Sequence, residues 1–200
     1  MNSLRTTFVA HPDFSLVAIR GQIDEHFVVP SMALDNQEVP LIVDTAHVEH
    51  VNSFGLRTWL LWISQLSKAA RPIYFVRCAP SVVTQANYVA NFLGSGIVLS
   101  FYAPYWCPKC GESVLELIEL RDPTRDPLVP PFIRRCTSCD IPLELAELEE
   151  EYFGLVDRHA SFAIRDDFWG LLTKILARLP DDVPRSTDAA AIDPTATEPT

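Results

Sequence analysis

The chain has 200 residues, 48% hydrophobic and 21% charged, and its 26 acidic side chains against 16 basic ones leave a formal net charge of -10. That length suits one medium domain with an attached module, or two small domains, and excludes a large multidomain enzyme. The acidic balance argues against nucleic acid, whose phosphates are held by clustered Lys and Arg, and no apolar run reaches the roughly 18 residues of a membrane span.

Up to residue 100, short apolar runs alternate with amphipathic stretches, an α/β rhythm. Thr7 to Ala10 and Phe14 to Ile19 read as two strands about a turn at His11-Pro12-Asp13, after which Gly21 breaks the pattern. Leu41-Ile-Val-Asp44 is a continuous apolar run ending in a carboxylate, expected as a strand buried on both faces whose C-terminal end meets a loop. Apolar residues at 56, 59, 60, 63 and 66 form one stripe of a helix, capped by Asn52-Ser53 and stopped near Ala70 by the approach of Pro72. Ile73 to Val76 is the next strand, and strand, helix, strand in this order predicts a right-handed crossover with parallel pairing. Ser81 is expected to cap a second helix reaching Phe92, Gly94 and Gly96 break it, and Ile97 to Leu99 is a further strand.

After Tyr102 the composition shifts to Cys, Pro and charge. The expected division is an α/β domain over 1–102, a zinc-ribbon module over 103–158, a C-terminal helix over 159–179 that is clearest from Asp166 to Leu179, and a disordered acidic tail over 180–200. Cys107-Pro-Lys-Cys110 and Cys136-Thr-Ser-Cys139 stand 25 residues apart. Each Cys-x-x-Cys turn lets two thiolates converge, and two turns complete a tetrahedral shell for one Zn2+. Four sulfurs leave no open position for water, so the zinc is expected to be structural and coupled to folding of the loop it closes. From Tyr105 to Leu155, 5 Lys or Arg stand against 11 Asp or Glu, a field that repels phosphate.

The segment from Leu41 to Leu60 resembles the signature of STAS domains, the anti-sigma factor antagonist family: an apolar strand ending in Asp44, a short loop, then Ser53 with Gly55 two residues later opening the first long helix. Gly21-Gln-Ile-Asp24 is similar to a further motif of that family, and the resemblance covers residues 5 to 100. It implies a STAS-like mixed sheet with helices, and a protein-binding module that in many members is switched by a serine kinase acting at the position of Ser53. Asn52 departs from the Asp that many phosphorylated members carry there. Two readings of Ser53 stand side by side, a phosphoacceptor and a plain helix cap. Gly55 is either a backbone requirement or room for a partner. Leu61 projects nearly opposite the buried stripe and Trp62 lies on its rim, so the pair could anchor a partner or pack against the zinc module.

Other candidates carry less. His47-x-x-His50 is expected on a surface loop without a third ligand, and Cys78, after a buried strand, is expected to be a small core hydrophobe. No nucleophile elbow or phosphate-cradling Gly-rich loop occurs, so an enzyme is not expected. The opening residues lack a charged and then apolar leader pattern, and the cysteine pairs suit reduced thiols, so a cytoplasmic location is expected. The expected function is therefore a non-enzymatic interaction module whose partner is a protein, such as a serine kinase or anti-sigma-like regulator, without nucleic acid or direct membrane insertion. The alternative is an accessory subunit of a membrane-associated lipid-transport complex.

Overall fold

The computed structural model describes residues 4–31, 39–69, 71–120, 134–159, 169–170 and 172–174. β1 (Arg5–His11) and β2 (Phe14–Ile23) form an antiparallel hairpin turned by Pro12 and Asp13. β3 (Leu41–Val51), β4 (Ile73–Val76) and β5 (Ile97–Val98) then add in parallel, giving a mixed sheet in the order β1-β2-β3-β4-β5. The parallel pairing expected across the first long helix is present between β3 and β4, with Asp44 opposite Val76.

β3 is far longer than the four residues expected, and the loop expected after Asp44 does not exist. Ala46, Val48 and Val51 continue inward while Glu49 and His50 face water, so continuous burial gives way to alternation within one strand. His47 and His50 accordingly sit in a strand, not on a loop. β2 extends alongside because Gly21 does not end it: the ladder shifts register between Gly21 and Gln22, and Gly21 takes the bend at a φ of 96°, which a side chain would resist.

α1 (Ser53–Ser67) covers one face of the sheet and stops at Lys68, just short of the expected end. Its buried residues are Gly55, Trp59, Trp62, Ile63 and Leu66, so the apolar stripe is turned from the expected one and Leu56 and Leu60 lie at its margin. Trp62 is therefore in the core at 0% exposure, edge-on to Trp59 and Phe27, and offers nothing to a partner. α2 (Pro80–Tyr88) is shorter than expected and begins with Pro in its first turn, which needs no N–H there. Ser81 is not its cap; the hydroxyl instead donates to the Val48 carbonyl at 2.6 Å and ties α2 to β3.

The expected boundary between 102 and 103 falls inside β6 (Ser100–Trp106), which pairs with β7 (Ser113–Glu119) and β8 (Glu144–Leu145) in a second sheet of order β7-β6-β8. The start of β6 still bonds to the first sheet, through Cys78 N to Ser100 O at 3.0 Å and Tyr102 N to Cys78 O at 2.8 Å. Two short helices follow, α3 (Glu149–Tyr152) and α4 (Gly154–His159). Tyr152, Phe153 and Leu155 close over Phe101 in the same apolar cluster that holds Trp59 and Phe75, and the Tyr152 hydroxyl donates to the Tyr102 carbonyl at 2.5 Å. Residues that flank the cysteine turns, among them Ala103, Ile118, Tyr152 and Phe153, thus share one apolar cluster with the α/β part.

On the opposite face of the first sheet, Phe14, Leu16, Ile42, Val76 and Leu99 pack against Leu172, with Trp169 beside them. Of the helix expected from Asp166 to Leu179, residues 169–170 and 172–174 are helical, and the remainder, like the tail from 180 to 200, lies outside the described residues.

Candidate functional site

The four paired cysteines meet. β6 ends at Trp106, Cys107 to Gly111 turn the chain, and β7 returns from Ser113. The second turn, Cys136 to Asp140, is flanked by an Arg135–Pro142 bridge and delivered to the first by β8, which pairs Tyr105 with Leu145 and Trp106 with Glu144. The two turns repeat one hydrogen-bond pattern. Gly111 N donates to Cys107 O and Cys107 N to Glu112 O, each at 2.8 Å; Asp140 N donates to Cys136 O and Cys136 N to Ile141 O, each at 2.9 Å. The residue after the second cysteine of each pair is left-handed, Gly111 at a φ of 74° and Asp140 at 53°. No atom lies near where a Cβ on Gly111 would stand, so glycine serves the conformation and not the space. Asp140 holds the same conformation while its carboxylate accepts from Arg135 Nε at 2.8 Å.

The sulfurs of Cys107, Cys110, Cys136 and Cys139 all lie within 4.8 Å of one another, with Cys110 and Cys136 at 3.6 Å. A tetrahedral ion bonded to sulfur at about 2.3 Å separates its ligands by about 3.8 Å, so the cluster fits a metal ion of that kind. All four thiols are free. Burial raises the Cys107 thiol, but the backbone N–H groups of Cys110 and Lys109 and the neighbouring thiols outweigh it and lower the value to about 7, which favours the thiolate that a metal requires. Sequence reasoning missed Glu112, whose carboxylate accepts from Cys136 Sγ at 3.2 Å and Ser138 Oγ at 3.1 Å and so joins the two turns. Its position directly after the first turn was the available signal.

At the start of α1, Asn52 alone caps the helix: its Oδ1 accepts from Phe54 N at 3.0 Å and Gly55 N at 2.9 Å. Ser53 is the first helical residue, exposed, and the cap it was expected to share belongs to its neighbour. The Asn52 amide also donates to Glu25 at 3.1 Å, and the Glu25 carboxyl is held below its usual range by its own backbone N–H and then by that amide. Gly55 is a backbone requirement: a Cβ there would run into the carbonyl of Ile23 and lie 2.5 Å from Asp24 N. Phe54, 70% exposed, and Leu61, 60% exposed, are seven residues apart and so lie within about 20° of one another around the helix.

Asp44 is not part of this surface. It is 1% exposed in the middle of β3 and grips Arg77, Oδ1 to Nε at 3.1 Å and Oδ2 to a terminal nitrogen at 2.6 Å. Arg77, itself buried and left-handed at a φ of 49°, donates its backbone N–H to Ser100 Oγ. Opposite charges closing two apolar runs, Leu41 to Asp44 and Ile73 to Arg77, were the signal for this pair. Cys78 is buried, and desolvation pushes its thiol up to about 12, as suits a core residue.

No helix among the described residues is long and apolar enough to cross a membrane. No protein-family model matches the chain, and neither does any curated protein.

Proposed function

We propose that this chain is a non-enzymatic, STAS-like interaction protein that docks a protein partner on the exposed face at the start of α1, with Ser53 as a regulatory phosphoacceptor and one structural Zn2+ held by Cys107, Cys110, Cys136 and Cys139. The observation that carries the reading is the juxtaposition of an exposed Ser53 with Phe54 and Leu61, two large apolar side chains turned to water on one helix face. The order of elements from β1 to β5 and the close approach of Gly55 to the end of β2 agree with the motif residues that resemble STAS domains.

The chemistry of a switch follows from the surroundings. Two N–H groups of the first turn are already taken by Asn52, so a phosphate on Ser53 would have to compete for them. It would gain Arg57, one turn along the same face, and would set nearly two negative charges near the ionised Glu25. An acidic or apolar partner surface seated on Phe54 and Leu61 would then be repelled.

The protein is to be isolated gently from its own cells, with phosphate on Ser53, bound zinc and co-purifying chains read together. The recovered partner is then titrated against wild type, Ser53→Asp and Leu61→Asp. The reading expects at least a tenfold loss of affinity in both variants; wild-type affinity in both sinks it.

A further inference from the structure

The first sheet has an edge that nothing among the described residues covers. β1 pairs only with β2, its register is unbroken from Arg5 to His11, and five of its seven residues are exposed. The direction of its backbone groups follows from the hairpin. Pro12 and Asp13 make a two-residue turn, so His11 and Phe14 are a hydrogen-bonded pair, and bonded pairs then recur at Val9, Thr7 and Arg5. Ser15 confirms the phase, because its N–H points the other way and donates to Pro40 O at 2.8 Å. The N–H and C=O groups of Thr6, Phe8 and Ala10 therefore point outward. Proteins normally guard such an edge with charged side chains, Pro or a bulge; from Thr6 to Ala10 there is none of these, and Arg5 at the start of the strand is its one formal charge.

We propose that this edge is an interface between two copies of the chain, pairing β1 with β1 antiparallel about a two-fold axis at Phe8 and joining the two five-stranded sheets. Outward-pointing residues centred on Phe8 allow that register: Thr6 bonds Ala10 of the second copy, Phe8 bonds Phe8, and Ala10 bonds Thr6. Between these pairs, Thr7 faces Val9 of the second copy and Arg5 faces His11, so β-branched side chains meet and no like formal charges stand opposed. Charge favours the same place, since a chain of -10 carries no acidic residue in β1 and two copies repel least there. A strand of this length buries a small area, so the dimer is weak and depends on concentration.

The test is the weight-average mass of the full-length chain by sedimentation over roughly 1 to 500 µM. Wild type is expected to rise from 22.4 kDa toward twice that mass. Thr7→Lys/Val9→Lys and Thr7→Glu/Val9→Glu each set like charges opposite one another at exposed positions, so each alone is expected to stay monomeric and a mixture of the two to form a mixed dimer. Hydrogen exchange at Thr6, Phe8 and Ala10 is expected to slow as wild type associates. The proposal is overturned if wild type remains monomeric, if both charged variants associate like wild type, or if those amides are already protected in dilute protein because another segment occupies the edge.

Discussion

Replacing Gly55 by Ala is a sharp test of how α1 is seated, because the local and the tertiary terms have opposite signs. Within a helix, Gly to Ala ordinarily stabilises by about 1 kcal/mol. Here the added methyl would lie 2.5 Å from Asp24 N and collide with the Ile23 carbonyl, both backbone atoms of the strand end and the turn after it. Relief requires α1 or the end of β2 to move, an overpacking cost of about 1–3 kcal/mol. The same movement strains the bond from Asn52 N to Ile23 O, 3.0 Å long and worth about 1 kcal/mol. The net expectation is a loss of about 1–3 kcal/mol, seen as a urea midpoint lowered by about 1 M at unchanged slope. Ser64→Ala, at an exposed position of the same helix, is the control and should be neutral or slightly stabilising. A Gly55→Ala midpoint at or above wild type would refute the reasoning.

Arg77→Met leaves the Asp44 carboxylate buried without its counter-charge and should cost about 3–5 kcal/mol, whereas the double variant Asp44→Leu/Arg77→Met should recover most of it; additive losses in a denaturation cycle would contradict a buried pair. Without metal the two cysteine turns are no longer linked and open, so their four thiols should react with a disulfide reagent well before Cys78, which reacts only on unfolding of the core; five thiols reacting together would show that the core around Cys78 is open. Burial raises the Cys78 thiol from 9.0 to about 12 and also raises the Tyr152 phenol, so the folded state prefers both neutral. Their contribution is complete below the ordinary values and is lost as pH climbs through the raised ones, so urea stability should fall between pH 9 and 12, and a flat profile would refute this. Removing the metal unlinks two turns 25 residues apart, a constraint worth about 3.5 kcal/mol by loop entropy, and because Tyr152 and Phe153 share the main core the whole chain should lose stability in calorimetry; melting of the cysteine segment alone would restore the two-module view.

The metal cluster was legible because its signal is local. Cys-x-x-Cys brings two sulfurs together through one turn, and no distant packing is needed to see it. The strands at Phe14, Leu41 and Ile73 were legible for a similar reason, since runs buried on both faces stay apolar at every position. The first long helix was placed almost to the residue at its start, where Asn52 competes directly for the free N–H groups.

What the tertiary structure decided was orientation and partnership. The turn of α1 about its axis depends on which side chains the sheet can accept: Phe75 and Phe92 pack on Trp59, Trp62 sits edge-on to Trp59 and Phe27, and Leu61 is left in water. The length of β3 depended on β2 continuing through Gly21, so a strand edge supplied the hydrogen bonds that the sequence pattern after Asp44 did not announce. The role of Asp44 was set by Arg77, 33 residues away, because a buried carboxylate takes its meaning from whatever charge the fold brings to it. The unity of the core was decided in the same way, as Phe101 and Tyr152 meet only after β6 has left one sheet for the other.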